Sequence, residues 1–414
     1  NKCTGASRTR SLIIYELVNK CNMSCCCPPA ISALFCLWAR SGFSKSSVAG
    51  ALTFFPPNPP LYKFTRTLDH VEILLDSDSD DEDDNDNNKN KNDDCDEIND
   101  KNPNMEQERE DRREIHPAQQ LTEQALLLRS QAKKKNKRDT QDAHRGITYE
   151  FIPDTRLYPP PGYSGSVEAV KIPWKLHGPK NNNNNKMPRP HVHVACVIYR
   201  IREDRVTSNT KTIIYSHGNA TDIGAMHFMQ VIIAKGLQCN VIMYDYSGYG
   251  ESGGVPLEGN TYTDIETVYD YTLEHVVRDN IERNIILYGQ SVGGGPSCYL
   301  ASKKVNLGGL ILHSAFMSGM RVLTSSRALA CLDIFPNITR IKNVNCPVLV
   351  IHGMLDEEVT FEHGKSLHDA VPEDCKRPPW WVKDRGHNDI TEGRQKVLEY
   401  IQKLKSFFDS LDND

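Results

Sequence analysis

No stretch of this sequence reaches the ~18 consecutive apolar residues that a membrane-crossing helix needs, so no helical span is expected in it. Residues 11–18 are apolar, but Glu16 interrupts them; even after Arg8 and Arg10 they make a poor signal peptide. No Cys-x-x-Cys motif is answered by a second half, which argues against zinc, and no metal is expected. The thirteen cysteines also lack the regular spacing of a disulfide framework. Those outside the N-terminal region sit singly in apolar surroundings and read as buried, reduced thiols. An excess of basic charge is missing where nucleic acid would require it. Residues 146–414 carry 28 Lys and Arg against 30 Asp and Glu, so no nucleic-acid partner is expected. Upstream, charge is segregated: eight basic against three acidic residues over 1–75, two against thirteen over 76–100, and eleven against eight over 101–145. Residues 76–104 hold almost no apolar side chain, cannot offset their ordering entropy, and read as disordered. With 38% hydrophobic content the chain can bury an ordinary core, but not along its whole length.

What is present centres on Ile285-Ile-Leu-Tyr-Gly-Gln-Ser-Val-Gly293. An apolar run of this kind reads as a buried parallel strand, and Gly-x-Ser-x-Gly then turns it sharply into a helix. Gly289 and Gly293 let backbone pass close where a side chain would clash, which lifts the Ser291 hydroxyl above the sheet edge as a nucleophile elbow. Serine is a weak nucleophile until a base takes its proton, and on this scaffold the chain order is Ser, then Asp or Glu, then His. Pro347-Val-Leu-Val-Ile-His-Gly353 reads as a strand with Asp356 in the loop after it; Glu357 and Glu358 are adjacent rivals for the acid. The strand before it, 309–313, is followed by 314–321 with no carboxylate. The base is read as His387, in Arg385-Gly-His-Asn-Asp389 after the strand-like Trp380-Trp-Val382. His363 and His368 fall on an expected helix, and His352 at a strand end. Thr212-Ile-Ile-Tyr-Ser-His-Gly-Asn-Ala220 runs a strand into a loop that should supply one main-chain donor for an oxyanion, Asn219, while Val292 supplies the other. Gly218 allows the close approach, and His217 reads as a structural residue orienting that loop.

Strands and helices alternate from Ile147 onward, including the strand from Asn240, a Gly-rich turn over 247–252 and a long helix over 262–277. Ile265, Val268, Tyr269 and Leu273 lie on one face of that helix. This alternation implies a mostly parallel sheet with helices on both faces, and the nucleophile elbow with its Ser, acid, His order makes it the α/β-hydrolase fold. Only some thirty residues separate Ser314 from the next strand, so no large cap domain is expected. The five-Asn run at 181–185 reads as a lengthened hairpin loop between strand-like stretches at 167–174 and 191–199. Residues 119–137 fit a solvated helix with a basic end. Near the N-terminus, Cys25, Cys26, Cys27 and Cys36 accompany Ile31, Leu34, Phe35, Leu37 and Trp38, with Arg40 and Lys45 nearby. Such a segment suits a membrane surface, and thioesterified cysteines would add the two or more acyl chains that stable anchoring needs. The expected organisation is 1–22 as leader or upstream sequence, since the first methionine is Met23. It continues with 23–64 as a Cys-rich membrane-anchoring segment, 65–146 as an acidic, Asn-rich and then basic linker, and 147–414 as the catalytic domain.

Six motifs carry a family resemblance: Ser216-His-Gly-Asn-Ala220, Tyr244-Asp-Tyr-Ser-Gly-Tyr-Gly250, Leu287-Tyr-Gly-Gln-Ser291, Ser318-Gly-Met-Arg-Val322, Phe335-Pro-Asn-Ile338 and Gly386-His-Asn-Asp-Ile390. They closely resemble the alpha/beta-hydrolase-domain 17 family, over about 149–411. Cys25-Cys-Cys-Pro-Pro29 and Leu52-Thr-Phe-Phe-Pro-Pro57 are similar to that family's acylated anchor. The resemblance implies a membrane-attached serine hydrolase that removes palmitate from cysteines of other proteins, a palmitoyl-protein thioesterase. It implies Ser291 as nucleophile, Asp356 as acid and His387 as base, with no cofactor. It further implies S-palmitoylated membrane proteins as substrates, and a peripheral, lipid-anchored place on the cytoplasmic face of plasma membrane or endosomes. A lipase or esterase on acylglycerols or lysophospholipids would use the same machinery. A non-catalytic membrane scaffold of this fold is the alternative of another class, and a complete triad speaks against it. The segment 76–145 has no counterpart in the family pattern. Gly294-Gly295 replaces bulkier residues after the elbow, which predicts a wider acyl pocket.

Overall fold

A computed structural model describes residues 53–67, 148–154, 162–174, 192–323 and 333–412. The cysteine cluster, the acidic linker, the helix expected over 119–137 and the five-Asn run lie outside the described residues. The described strands form one sheet, ordered β1-β2-β3-β4-β6-β5-β7-β8-β9-β10. They are β1 (Tyr62–Thr67), β2 (Thr148–Pro153), β3 (Ser166–Pro173), β4 (His193–Arg200) and β5 (Thr212–Ser216). The others are β6 (Asn240–Tyr244), β7 (Ile285–Gln290), β8 (Gly309–His313), β9 (Val348–Gly353) and β10 (Trp380–Val382). From β6 to β10 every pairing is parallel, and from β1 to β4 and across to β6 every pairing is antiparallel. The strands on either side of the Asn-rich stretch pair in register from Ser166↔Arg200 to Pro173↔His193, as a hairpin must.

Helices cover both faces because the central strands are apolar on both. Ile214, Ile242, Leu287, Leu310 and Val350 face a cluster that includes α2 (Glu258–His275) and α3 (Gly294–Ala301), while Ile213, Val241, Ile286, Ile311 and Leu349 face α1 (Ile223–Leu237) and the last helix, Arg394–Leu411. Asp222 caps α1, its side chain accepting from the Ala225 amide at 3.0 Å. The helix α2 begins a turn earlier than the pattern predicts. Glu258 favours the positive helix N-terminus, and its carboxylate accepts from the Tyr262 hydroxyl at 2.6 Å one turn later. Cys196, Cys239, Cys298 and Cys346 are buried free thiols and Cys375 is half-buried; burial pushes the Cys298 thiol up to about 12.

The sequence reading starts the catalytic domain at Ile147, yet β1 pairs with β2 over six residues and Phe54 is buried in the same core as α2 and α3. Residues 53–67 therefore belong to this body, although a long linker separates them from it in sequence. Between β8 and β9 the described residues form only three short helical pieces, Gly319–Leu323, Asn337–Arg340 and the 3₁₀ turn Ile341–Asn343.

Candidate active site

The strand order reverses at β5, whose neighbours are β6 on one side and β7 on the other. Ligand sites in open α/β sheets form outside the carboxyl ends of the strands at such a point. Both β5 and β7 end there in the loops singled out by the sequence. Ser291 follows β7 directly, with φ of +51°, a left-handed conformation that is costly for a residue with a side chain and concentrates at functional sites. The turn after it runs so close to β5 that a Cβ on Gly293 would come within 2.0 Å of the Ser216 carbonyl oxygen.

Three loops from the ends of β7, β9 and β10 bring the triad residues together. The Ser291 hydroxyl lies 3.0 Å from His387 Nε2, and His387 Nδ1 lies 2.7 Å from Asp356 Oδ2. The acid loop and the base loop are joined by the Leu355 amide, which donates to the Arg385 carbonyl at 2.9 Å. Asp389 closes the base loop by accepting from the Gly386 amide at 2.6 Å. Asp356 is buried, and its Oδ1 accepts from the amides of Glu358 and Val359 at 3.0 and 2.8 Å. Burial opposes its ionisation, but His352, His387 and the Val359 amide outweigh that and hold the carboxyl below the usual carboxylate range. Of the rival acids, Glu357 is exposed, and Glu358 accepts from the Asn388 side chain at 2.9 Å.

The rival histidines have other partners. His363 accepts from the Met317 amide at 3.1 Å, and His368 is partly buried on the same helix, α4 (Phe361–Ala370), with an edge toward Trp381. His217 is fully buried; its ring lies against Tyr246, its Nδ1–H donates to the Gly218 carbonyl at 2.8 Å, and its Nε2 lies 3.2 Å from Asp245. The structural role read from the sequence fits those contacts. His352 is the residue that sequence reasoning undervalued. Its Nε2 lies 2.8 Å from the Val359 carbonyl and 3.3 Å from Asp356 Oδ2, so two histidines address one carboxylate. The available signal was its position at a strand end, four residues before the acid.

The expected oxyanion residues flank the nucleophile. Val292 follows Ser291 in the tight turn, and Asn219 stands in the loop after β5. That loop passes beside the elbow, since a Cβ on Gly218 would lie 3.9 Å from the Ser291 Cβ. Gly294 and Gly295 do not widen a pocket. A Cβ on Gly294 would meet Ala315 Cβ at 2.7 Å, and one on Gly295 would meet the Phe335 ring at 2.2 Å, so neighbouring side chains fill the room the glycines leave. Cys25, Cys26, Cys27 and Cys36 lie outside the described residues. Among the described residues no group of three or more His, Cys, Asp or Glu side chains is placed to hold a metal ion.

A serine at a strand-to-helix turn, hydrogen-bonded to a histidine that a buried carboxylate holds, on a sheet of this topology, defines an α/β-hydrolase of the serine-hydrolase type. A family model described as Hydrolase_4, serine aminopeptidase S33, matches residues 207–339. Alpha/beta hydrolase domain-containing protein 17B of Homo sapiens is 37% identical over 264 residues, covering 61% of this chain and 88% of that one. The 17C protein of Xenopus tropicalis is 42% identical over 200 residues, 47% of this chain and 61% of that one. An esterase of Pyrococcus furiosus aligns in structure at a TM-score of 0.46 with 17% identity, over 60% of this chain and 93% of the esterase. The chain belongs to the alpha/beta hydrolase domain-containing protein 17 family.

Proposed function

We propose that this chain is a serine-dependent thioesterase that removes palmitate and similar long acyl chains from S-acylated cysteines of membrane-associated proteins. The observation that carries the reading is the unbroken hydrogen-bonded chain from Ser291 through His387 to Asp356. His387 Nε2 takes the Ser291 proton as the hydroxyl oxygen attacks the thioester carbonyl. Asp356 keeps the imidazole in the tautomer with hydrogen on Nδ1 and stabilises the imidazolium that forms. The main-chain amides of Asn219 and Val292 receive the oxyanion. As the carbon–sulfur bond breaks, His387 returns the proton to the leaving cysteine thiolate. Water, deprotonated by the same histidine, then releases the fatty acid and restores Ser291.

The family resemblance supports protein-bound thioesters, and the N-terminal cysteines support a lipid anchor that holds the enzyme at the cytoplasmic face of a membrane. The test sets a palmitoyl thioester peptide beside a monoacylglycerol with the same purified enzyme. Turnover of the thioester is expected, falling on the order of 10⁴-fold in Ser291→Ala, with fluorophosphonate labelling lost as well. Turnover of the monoacylglycerol alone would make the enzyme a lipase. Labelling that persists in Ser291→Ala would move the nucleophile elsewhere.

A further inference from the structure

The side chain of Asn219, a residue expected to act only through its main chain, is a hub. Its Nδ2 donates to the Thr53 carbonyl at 2.7 Å. Its Oδ1 accepts from the Phe55 amide at 3.0 Å, from the Tyr249 hydroxyl at 2.8 Å and from the Ala220 amide at 3.0 Å. Further bonds fasten the same N-terminal stretch to neighbouring loops. The Leu61 amide donates to Asp222 at 2.7 Å, and the Tyr62 hydroxyl donates to Asp245 at 2.6 Å while accepting from the Glu251 amide at 2.9 Å. Phe54 is buried edge-on against Tyr249 and Phe335. All these partners lie more than 150 positions along the chain from residues 53–62.

Resting on the serine-hydrolase reading above, we infer that residues 53–62 form a strap that positions the oxyanion loop, with Asn219 as the positioning residue through its side chain. The loop of residues 217–220 is held at its start by His217, whose Nδ1–H donates to the Gly218 carbonyl at 2.8 Å and whose carbonyl accepts from the Tyr246 hydroxyl at 2.6 Å. Toward the left-handed Ala220, φ of +54°, the direction of the Asn219 amide needs a further restraint. Four hydrogen bonds to one side chain, three of them from or to other segments, supply that restraint. Oxyanion stabilisation depends on donors aimed before the reaction, so loosening the strap lowers turnover while leaving ground-state binding in place. The strap follows the cysteine-rich segment in sequence, so the part of the chain expected to meet the membrane runs directly into the part that aims the catalytic loop.

The test uses the full chain and a soluble short-chain ester, p-nitrophenyl butyrate, so that membrane attachment plays no part. Rates are expressed per active site titrated with a fluorophosphonate, which removes any misfolded fraction. Asn219→Ala keeps the main-chain amide and is expected to lower kcat roughly 10- to 100-fold, with KM within about threefold of the parent. Asn219→Asp keeps the acceptor for Phe55 and Tyr249 but not the donor to Thr53, and falls in between. Phe54→Ala, remote from the reacting atoms, moves kcat in the same direction. Inhibition by an alkyl boronic acid, whose tetrahedral adduct places an oxygen in the same hole, weakens in step with kcat. A merely structural role would lower Tm and the titrated fraction but not kcat per site. Should kcat per site and boronate inhibition stay within about twofold of the parent in all three variants, the strap has no catalytic part. A parent enzyme that neither labels at Ser291 nor hydrolyses the ester overturns the serine-hydrolase reading itself.

Discussion

Replacing Gly295 by Ala probes the packing behind the nucleophile. The new Cβ would lie 2.2 Å from Cδ1 of Phe335, 2.6 Å from Cγ and 2.7 Å from Cε1. Carbon pairs are at their best near 3.5–4.0 Å, so the ring or the helix must retreat by roughly 1 Å. The ring has little room. Phe335 is fully buried, with ring centroids of Tyr262 and Phe54 at 5.9 and 6.1 Å. Its backbone is held too: φ is +50°, its amide donates to Glu258 at 2.7 Å, and its carbonyl accepts from the Asn337 amide at 2.7 Å. Overpacking of this kind costs about 1–3 kcal/mol. At about 2–4 °C per kcal/mol for a domain of this size, Tm should fall by roughly 2–12 °C in a calorimetric scan. Because α3 begins three residues after Ser291, a helix that yields instead of the ring would also shift the nucleophile from His387 and lower kcat. Pairing Gly295→Ala with Phe335→Leu, which shortens the opposing side chain, should recover part of the lost Tm, a non-additivity expected only of residues in contact. A single variant within about 1 °C of the parent would refute the account of what fills the space after the elbow.

Asp356→Asn should fold and lose most turnover, on the order of 10⁴-fold, through the wrong imidazole tautomer, whereas Glu357→Gln should cost little. A crippled Glu357→Gln would reassign the acid. The depressed folded-state pKa of Asp356 means that its ionised form stabilises the fold above the unfolded value of about 3.9, and that this is lost as pH falls toward the lower folded value. Acid unfolding of Asp356→Asn should therefore show a shallower loss of Tm below about pH 4 than the parent; equal slopes would contradict the assignment. Replacing Cys25, Cys26 and Cys27 by Ser should release the protein from membranes in cells and abolish action on membrane substrates, with turnover of a soluble thioester unchanged. Retention after Cys36 is replaced as well would sink the anchor.

Much of the site was legible because its marks are local. The apolar run from Ile285 to Tyr288, leading into Gly-x-Ser-x-Gly from Gly289, needs no distant partner to be read, and His387 and Asp356 follow strands in the one order that this scaffold uses. The sequence by itself determined the strand–turn–helix rhythm, and with it the identity of the nucleophile, acid and base candidates. Only the tertiary structure decided which side chains hold those residues in place. The oxygen of Asn219 that meets Phe55 is 164 positions away in the chain, and the room expected after the elbow is filled by Phe335, forty positions beyond Gly295. β1 enters the sheet beside β2 across the whole linker. Periodicity reports which face of one element is apolar, but packing at crystal-like density and the pairing of buried polar groups are settled between elements. Nothing in the local pattern of either partner records such contacts.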